Sequence, residues 1–542
     1  MKCLGFLSLL AVSIGQAASS LALAEAERAV PAMQEEVRRA SPLQADVAAF
    51  YRALSDEPFW FDPQGQPRLL RQQQLEAWIL LSHEHGLNPR DYGFSGLSQP
   101  VLQQSVVERE QRLTRQFLRL AADLQGTGLV QQRDSSWHFT DSVVTPDRLA
   151  ARLAGGESVR QLLDSLLPQA AEYRRLVQLY RHLWITSQQP WHAPDVPAEL
   201  VFPGDQSPQM PALRRWLQAQ LWLDLAQAPN VDAETYSEDM VMAIRRFQHQ
   251  RGLDADGIIG PDTRRELLRG PEELLRQVRA NLARWRALPS ELGERYLLVR
   301  TGAFNLDLVE HDRSLQRHAV IAGRPGRPSP SFSAQVDRLI FNPNWTVPFR
   351  LAVEDLLPKQ QADAQYFQRQ GIEVLQRQAD GQWLPVDSAG IDWSGLSRRN
   401  FHYLLRQQPG PLNSLGRIRV GMSNPYSIYL HDTPQQSLYA KAQRAFSSGC
   451  IRVQGIDELA RMLAGEEGVE TALSQPETRQ LTLDRALPVY LVYLTVWVNE
   501  AGEAFIHPDS YGRDLELNEG LGPLPTPPPQ HLTELARNVL EQ

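Results

Sequence analysis

The spacing of apolar residues changes near residue 289 of this chain, and that change does most to limit its fold. Up to about residue 286 the spacing is helical: Leu75, Trp78 and Ile79, then Leu213, Trp216, Leu217 and Leu221, then Leu275, Val278, Leu282 and Trp285 recur at three- and four-residue steps. After Pro289 the period drops to two, with Phe304, Leu306 and Leu308 alternating with Asn305 and Asp307, and Ile418, Val420 and Met422 repeating the pattern. Val489 to Val498 is almost wholly apolar, as a strand buried on both faces requires. A helical first part and a β-rich second part, in 542 residues that exceed what one core serves, predict a multidomain α+β protein.

Punctuation along the chain sets the expected boundaries. Lys2, the apolar stretch Leu4 to Ile14 and the small-x-small triplet Ala22-Leu23-Ala24 make an export signal over residues 1–24. That stretch is shorter than the ~20 residues that span a bilayer, and no later segment of that length lacks charges, so no stable membrane insertion is expected after cleavage. Residues 25–205 read as a helical domain, with Gly86 and Asn88-Pro89 ending one helix. Residues 206–270 form a compact unit of three short helices, with turn signals at Asp256-Gly257 and Gly260-Pro261. A connector helix over 271–294 opens at Pro271, and the β-rich domain covers 295–515. Within it, residues from about 358 to 411 are glutamine-rich and polar, an insertion read as a lid. The tail, 516–542, holds the proline run Pro523 to Pro529 and a short helix from about Leu532. His83 and His85, two residues apart, lie on different helix faces and make a poor metal pair. Trp60, Trp137, Trp184 and Trp191 are scattered as core tryptophans are.

The charge balance of 55 basic against 63 acidic residues, net −8, gives no electrostatic case for a nucleic-acid partner. Removing the signal takes Cys3 with it and leaves Cys450 alone, which excludes disulfide frameworks and cysteine zinc clusters. A single thiol in an exported chain is either inert and buried or retained because it reacts, and the count leaves both open.

The segment Tyr426 to Val453 bears on that choice. Period two sends Ile428 and Leu430 to one face and Tyr429 and His431 to the other; with the first pair in the core, the second faces a cleft. Ser447-Ser448-Gly449-Cys450-Ile451-Arg452 then leads toward a helix with Ile456, Leu459, Ala460 and Leu463 on its apolar face, placing Cys450 on a small-residue turn ahead of a helix. A thiol whose proton an imidazole can take is an acyl-transfer nucleophile, and amides near it can hold an oxyanion. The bland alternative is a core histidine and a small buried cysteine.

The pattern resembles the catalytic signature of the L,D-transpeptidases: His431-Asp432-Thr433 followed by Ser447-Ser448-Gly449-Cys450-Ile451-Arg452. The likeness extends through Gly323-Arg324, Pro328-Ser329-Pro330, Asn342 to Pro348, Glu354-Asp355, Gln408 to Pro411 and Asn424-Pro425. Phe247-Gln248, Gly252-Leu253, Asp256 to Gly260 and Thr263 through Leu267 resemble a peptidoglycan-binding domain. The whole mature chain looks like the large periplasmic members of the family, with a helical scaffold, a three-helix wall-binding domain and a β-rich catalytic domain carrying an inserted lid. Many members have histidine where Ser448 stands, which leaves His431 as the base.

The resemblance implies that Cys450 attacks the carbonyl of the third stem-peptide residue and releases D-alanine, and that an amine from a second stem resolves the thioester into a 3→3 cross-link. His431 moves the protons, and the Gly449 and Cys450 amides hold the oxyanion. Tyr429, Arg452, Trp345 and Ser448 are the expected substrate contacts, while Asp432 points away from the site. No metal or cofactor is required. The implied partners are peptidoglycan stem peptides and glycan, with other cell-wall synthesis proteins admitted. Two alternatives stay open: an L,D-carboxypeptidase or endopeptidase using the same thiol, and a non-catalytic peptidoglycan-binding protein.

Overall fold

The computed structural model describes residues 42–94, 104–126, 128–139, 144–223 and 233–541; the expected export signal lies outside them. Its first part is helical around a core that includes Phe50, Tyr51, Trp60, Leu75, Phe117 and Leu162. The buried Glu110 carboxylate accepts N–H groups of Phe59, Trp60 and Phe61 and the Tyr51 hydroxyl, and so orders the chain that packs over it. Trp60 and Trp137 are core residues here.

The helices Met210–Ala219, Glu238–Gln250 and Pro261–Leu267 enclose a separate core of Met210, Leu213, Tyr236, Ile244 and Phe247. Buried Gln248 accepts the Gly257 N–H at 2.8 Å and donates to Thr263 Oγ1 at 3.0 Å. Much of the motif that resembles a wall-binding unit therefore holds its own turn.

The expected connector is a central strut. The helix Pro271–Arg286 is buried along most of its length. Arg279 donates to the carbonyls of Gly86, Leu521, Gly522 and Pro523, and Arg284 pairs with Asp514. Buried guanidiniums are tolerated because carbonyls and a carboxylate meet them.

The β-rich part holds nine paired strands: β1 (Arg295–Arg300), β2 (Asn305–Glu310), β3 (Arg313–Gly323), β4 (Phe332–Phe341), β9 (Ile418–Met422), β10 (Leu430–His431), β11 (Ala445–Ser447), β12 (Ile451–Val453) and β13 (Arg479–Val492). Their order is β11-β3-β12-β10-β9-β4-β13-β1-β2, and β2 also pairs with β3, so the sheet closes on itself with β11 appended. Closure removes free edges. Leu297, Leu306, Val320, Leu339, Val420, Leu430 and Ile451 fill the interior, with Ile456 and Leu459 of the helix Ile456–Ala464 packed against them. The apolar run at Val489 divides: β13 ends at Val492, and β14 (Val496–Val498) pairs with β15 (Ala504–Ile506).

The insertion is larger and more ordered than its polar composition implies. A second sheet, β5-β8-β6-β7, joins β5 (Trp345–Thr346), β8 (Tyr403–Gln407), β6 (Ile372–Arg377) and β7 (Trp383–Val386). It has its own core of Val347, Leu357, Phe367, Val374, Trp393, Phe401 and Leu405. The unit thus starts at Trp345 rather than near residue 358. The tail is not a free extension either: Arg513–Leu521 is helical, and Gln530–Glu541 packs on the helix Leu69–Leu81.

Candidate functional site

Strand register builds the site. β10 runs parallel to β12 with Leu430 opposite Ile451 and His431 opposite Arg452, and antiparallel to β9 with Leu430 opposite Val420 and His431 opposite Arg419. Leu430, Ile451 and Val420 point into the barrel. Alternation then sends His431, Arg452 and Arg419 to the outer face in one row. The same registers carried one residue on give a second row, Cys450, Tyr429 and Gly421, with Arg338 of β4 opposite Gly421. Cys450 and His431 are therefore diagonal neighbours on one face, roughly 7–8 Å apart between Cβ atoms.

His431 is buried, and the ring has one fixed partner: Nδ1–H donates to the Asp432 carbonyl at 2.5 Å. That bond selects the tautomer in which Nε2 accepts a proton. Burial first, then the Arg452 and Arg419 guanidiniums, pushes the imidazole down to about 3. It stays neutral and able to take a proton. The Asp432 carboxylate turns away, accepting the Arg417 N–H at 3.0 Å and a Gln436 amide at 3.2 Å. This is the orientation expected for a neighbour in a strand.

Cys450 is partly exposed, so the sulfur is reachable. Burial pushes its thiol up, while the Tyr429 N–H and hydroxyl and the Arg452 and Arg419 charges act against that rise. The sulfur sits 3.7 Å from the Ser427 carbonyl. Ser427 has a φ of +57°, unusual for serine. The loop is held there by Asn424, whose Oδ1 accepts the Tyr426 and Ile428 amides and whose Nδ2 donates to the Ile428 carbonyl. Cys450 lies on a turn of small residues, and the three-residue strand β12 stands between it and the helix that opens at Ile456, so no helix dipole favours the thiolate.

Gly449 has a φ of +120°, open to glycine alone, and a Cβ there would lie 3.3 Å from Ile428 Cδ1. Its N–H donates to Ser447 Oγ at 3.0 Å, and the same hydroxyl donates to the Cys450 carbonyl at 2.6 Å. Among the two amides expected to hold an oxyanion, that of Gly449 is already engaged, which leaves the Cys450 N–H. Buried Ser329 donates to the Gly449 carbonyl at 2.7 Å and accepts the Gly323 N–H at 3.0 Å, fixing the peptide from behind.

The remaining expected contacts divide. Tyr429 forms the wall of the thiol, its ring centre 5.6 Å from that of His431. Trp345 is half-buried at the root of the insertion and meets the Tyr429 hydroxyl. Arg452 donates to Gln435 at 2.7 Å, so it is tied back as well as facing the site. Ser448 accepts a hydrogen bond from Arg327 at 3.1 Å, making it a peg for the motif loop. Arg327 also pairs with Glu354 and Asp355, and Arg324 with Asp355 at 3.1 Å. Those acids stand on a π-helical turn, Ala352–Leu356, so the network couples the cysteine loop to the insertion. On the far side His138 of the helical part stacks on Tyr426, 4.5 Å between ring centres.

Sequence reasoning missed Arg419, Ser427, Arg327 and the function of Ser329. Arg419 had a signal, being the one charge between the apolar Ile418 and Val420, but its partner across the ladder is set by register alone.

Comparison with known proteins gives three matched regions. Residues 294–480 match the model described as "L,D-transpeptidase catalytic domain", residues 206–267 that described as "Putative peptidoglycan binding domain", and residues 45–179 that described as "Scaffold domain". A Haemophilus influenzae protein titled "Putative L,D-transpeptidase" is 34% identical over 227 residues, 41% of this chain and 45% of that protein. The match thus spans less than half the length of that relative. A solved structure titled "L,D-transpeptidase from Mycobacterium smegmatis" covers 37% of this chain and 58% of its own, at 12% identity and a TM-score of 0.19, too poor a superposition to carry any argument.

Proposed function

Because the chain carries an L,D-transpeptidase catalytic domain together with a peptidoglycan-binding domain and a scaffold domain, we propose that it forms 3→3 cross-links in peptidoglycan through a Cys450 thioester. The supporting observation is that Cys450 and His431 share one sheet face, with the His431 tautomer set by the Asp432 carbonyl.

As Sγ attacks the carbonyl of the third residue of a tetrapeptide stem, its proton passes to His431 Nε2. The Cys450 N–H stabilises the oxyanion. The tetrahedral intermediate collapses with cleavage of the C–N bond, and the imidazolium returns its proton to the departing D-alanine amine. A thioester remains. The side-chain amine of a second stem then attacks it, gives a proton to His431, and expels the sulfur, which recovers that proton. The coupled insertion supports transfer over hydrolysis, since covering a thioester excludes water. Export to the periplasm is part of the proposal, and the amino-terminal segment Lys2 to Ala24 supports it.

Incubation with purified tetrapeptide muropeptides tests this, read by mass spectrometry of products and of intact protein. The expected result is cross-linked dimers, free D-alanine and a covalent adduct lost in Cys450→Ala. Tripeptide products without dimers make the enzyme a carboxypeptidase, and an unmodified wild type with no products makes the thiol incidental.

A further inference from the structure

The outer face of the sheet holds a second feature beside the thiol. A cavity of about 250 Å³ lies between β4, β9 and the loop before β10, lined by Arg338, Arg419, Gly421, Asn424, Ser427 and Tyr429. It touches the nucleophile's own surroundings: the Ser427 carbonyl is 3.7 Å from the Cys450 sulfur, and Tyr429 contacts that sulfur. We propose that this cavity is a carboxylate-binding subsite in which Arg419 and Arg338 read a free carboxylate of the donor stem peptide, close to the carbonyl under attack.

The charges on its walls carry the inference. Among the described residues, no acidic side chain pairs with Arg419, and its Nε is enclosed with no hydrogen-bond partner. Its guanidinium instead lies over the Tyr429 ring, 5.2 Å from the centre, which holds the fork beside the thiol without using its in-plane donors. An enclosed, unmatched guanidinium nitrogen is costly unless a ligand meets it. Among the described residues, Arg338 pairs with its own neighbour Asp337, through Nη1 at 2.9 Å. Two guanidiniums against one carboxylate leave the cavity with a net positive charge.

Gly421 opens the space. A Cβ there would stand 2.6 Å from Arg338 Cγ and 3.0 Å from its Nε, so only glycine lets the Arg338 side chain cross the strand toward Tyr429. The cavity accommodates a carboxylate on a short aliphatic arm, and paired guanidiniums suit a planar anion.

Where the third residue is a diamino acid with a carboxylate on its side chain, two free carboxylates flank the carbonyl under attack: that one and the one at the carboxyl terminus, which departs with D-alanine. The subsite rests on the transpeptidase reading, and the experiment separates the two. D-Alanine or D-alaninamide release is measured with three donors: the free tetrapeptide, one amidated on the third side chain, and one amidated at its carboxyl terminus. With wild type, one amidation is expected to lower kcat/KM roughly 10- to 100-fold, the range of a charge-assisted pair, and thereby to name the carboxylate.

In Arg338→Gln the free donor falls to the level of that amidated donor, while the amidated donor loses little more; in Arg419→Gln, whatever the common loss, the ratio between the free and the amidated donor closes toward one. Arg419→Lys retains part of the preference, which also shows that the strand tolerates replacement. Equal losses on all three donors, or none in wild type on amidation, overturn the subsite while leaving the transpeptidase reading intact. A wild type that releases nothing from any donor overturns both.

Discussion

The protonation states at Cys450 and His431 make a quantitative demand on the pH dependence of acylation. The imidazole is neutral down to about pH 3, and burial holds the thiol above its ordinary 9.0, so the pair of thiol and neutral imidazole is the resting form between about pH 5.5 and about pH 8.5. If His431 takes the proton as sulfur attacks, the reactive form is already fully populated there, and the rate constant for acylation by the tetrapeptide donor is flat. If a preformed thiolate were required, the rate would climb ~10-fold per pH unit, or ~1000-fold across the window. Replacing His431 with glutamine removes the acceptor and leaves only spontaneous ionisation. A thiol at or above 9.0 is at most ~1% thiolate at pH 7, so His431→Gln is expected to acylate at least ~100-fold more slowly there and to regain ~10-fold per pH unit as the solution is made alkaline. Quenched-flow sampling with intact-protein mass detection measures both profiles. A unit slope in wild type, or a flat profile in His431→Gln, would refute the reasoning.

Two further outcomes follow from the same packing. His431 and His507 are both buried and pushed down to about 3 from an ordinary 6.5, so between those values the unfolded chain binds protons that the folded chain does not. Stability is whole above pH 6.5 and falls as pH drops toward 3, by ~2 kcal/mol per histidine at pH 5; urea midpoints compared at pH 7.5 and pH 5 should show it, and because burial pushes His85 down to about 3 as well, His507→Gln should lose about a third of this histidine contribution. Ser329→Ala leaves the buried Gly323 N–H and Gly449 carbonyl without their hydroxyl partner and should cost ~2 kcal/mol in denaturant titrations, with acylation slowed more than donor affinity. Unchanged stability and rate would show that the Gly449 peptide is held without that hydroxyl.

Much of the reaction centre is local and therefore legible in one dimension. Alternation alone places Leu430 in the core and Tyr429 and His431 on the opposite face, since a strand's period is two wherever the strand lies. The small residues before Cys450 announce a tight turn, and the helical spacing of Leu275, Val278 and Leu282 announces the strut. What tertiary structure decided is everything that depends on register. Pairing Leu430 with Ile451 puts Cys450 beside Tyr429, and pairing it with Val420 brings Arg419 against His431; a slip of one residue would turn either to the barrel interior. The engagement of the Gly449 amide by Ser447, its carbonyl by Ser329, and the independent core of the insertion arise likewise from backbone geometry and long-range packing. Composition averages such contacts away, because a glutamine-rich segment folds once every second or third residue, such as Ile372, Val374 and Leu405, finds a common interior.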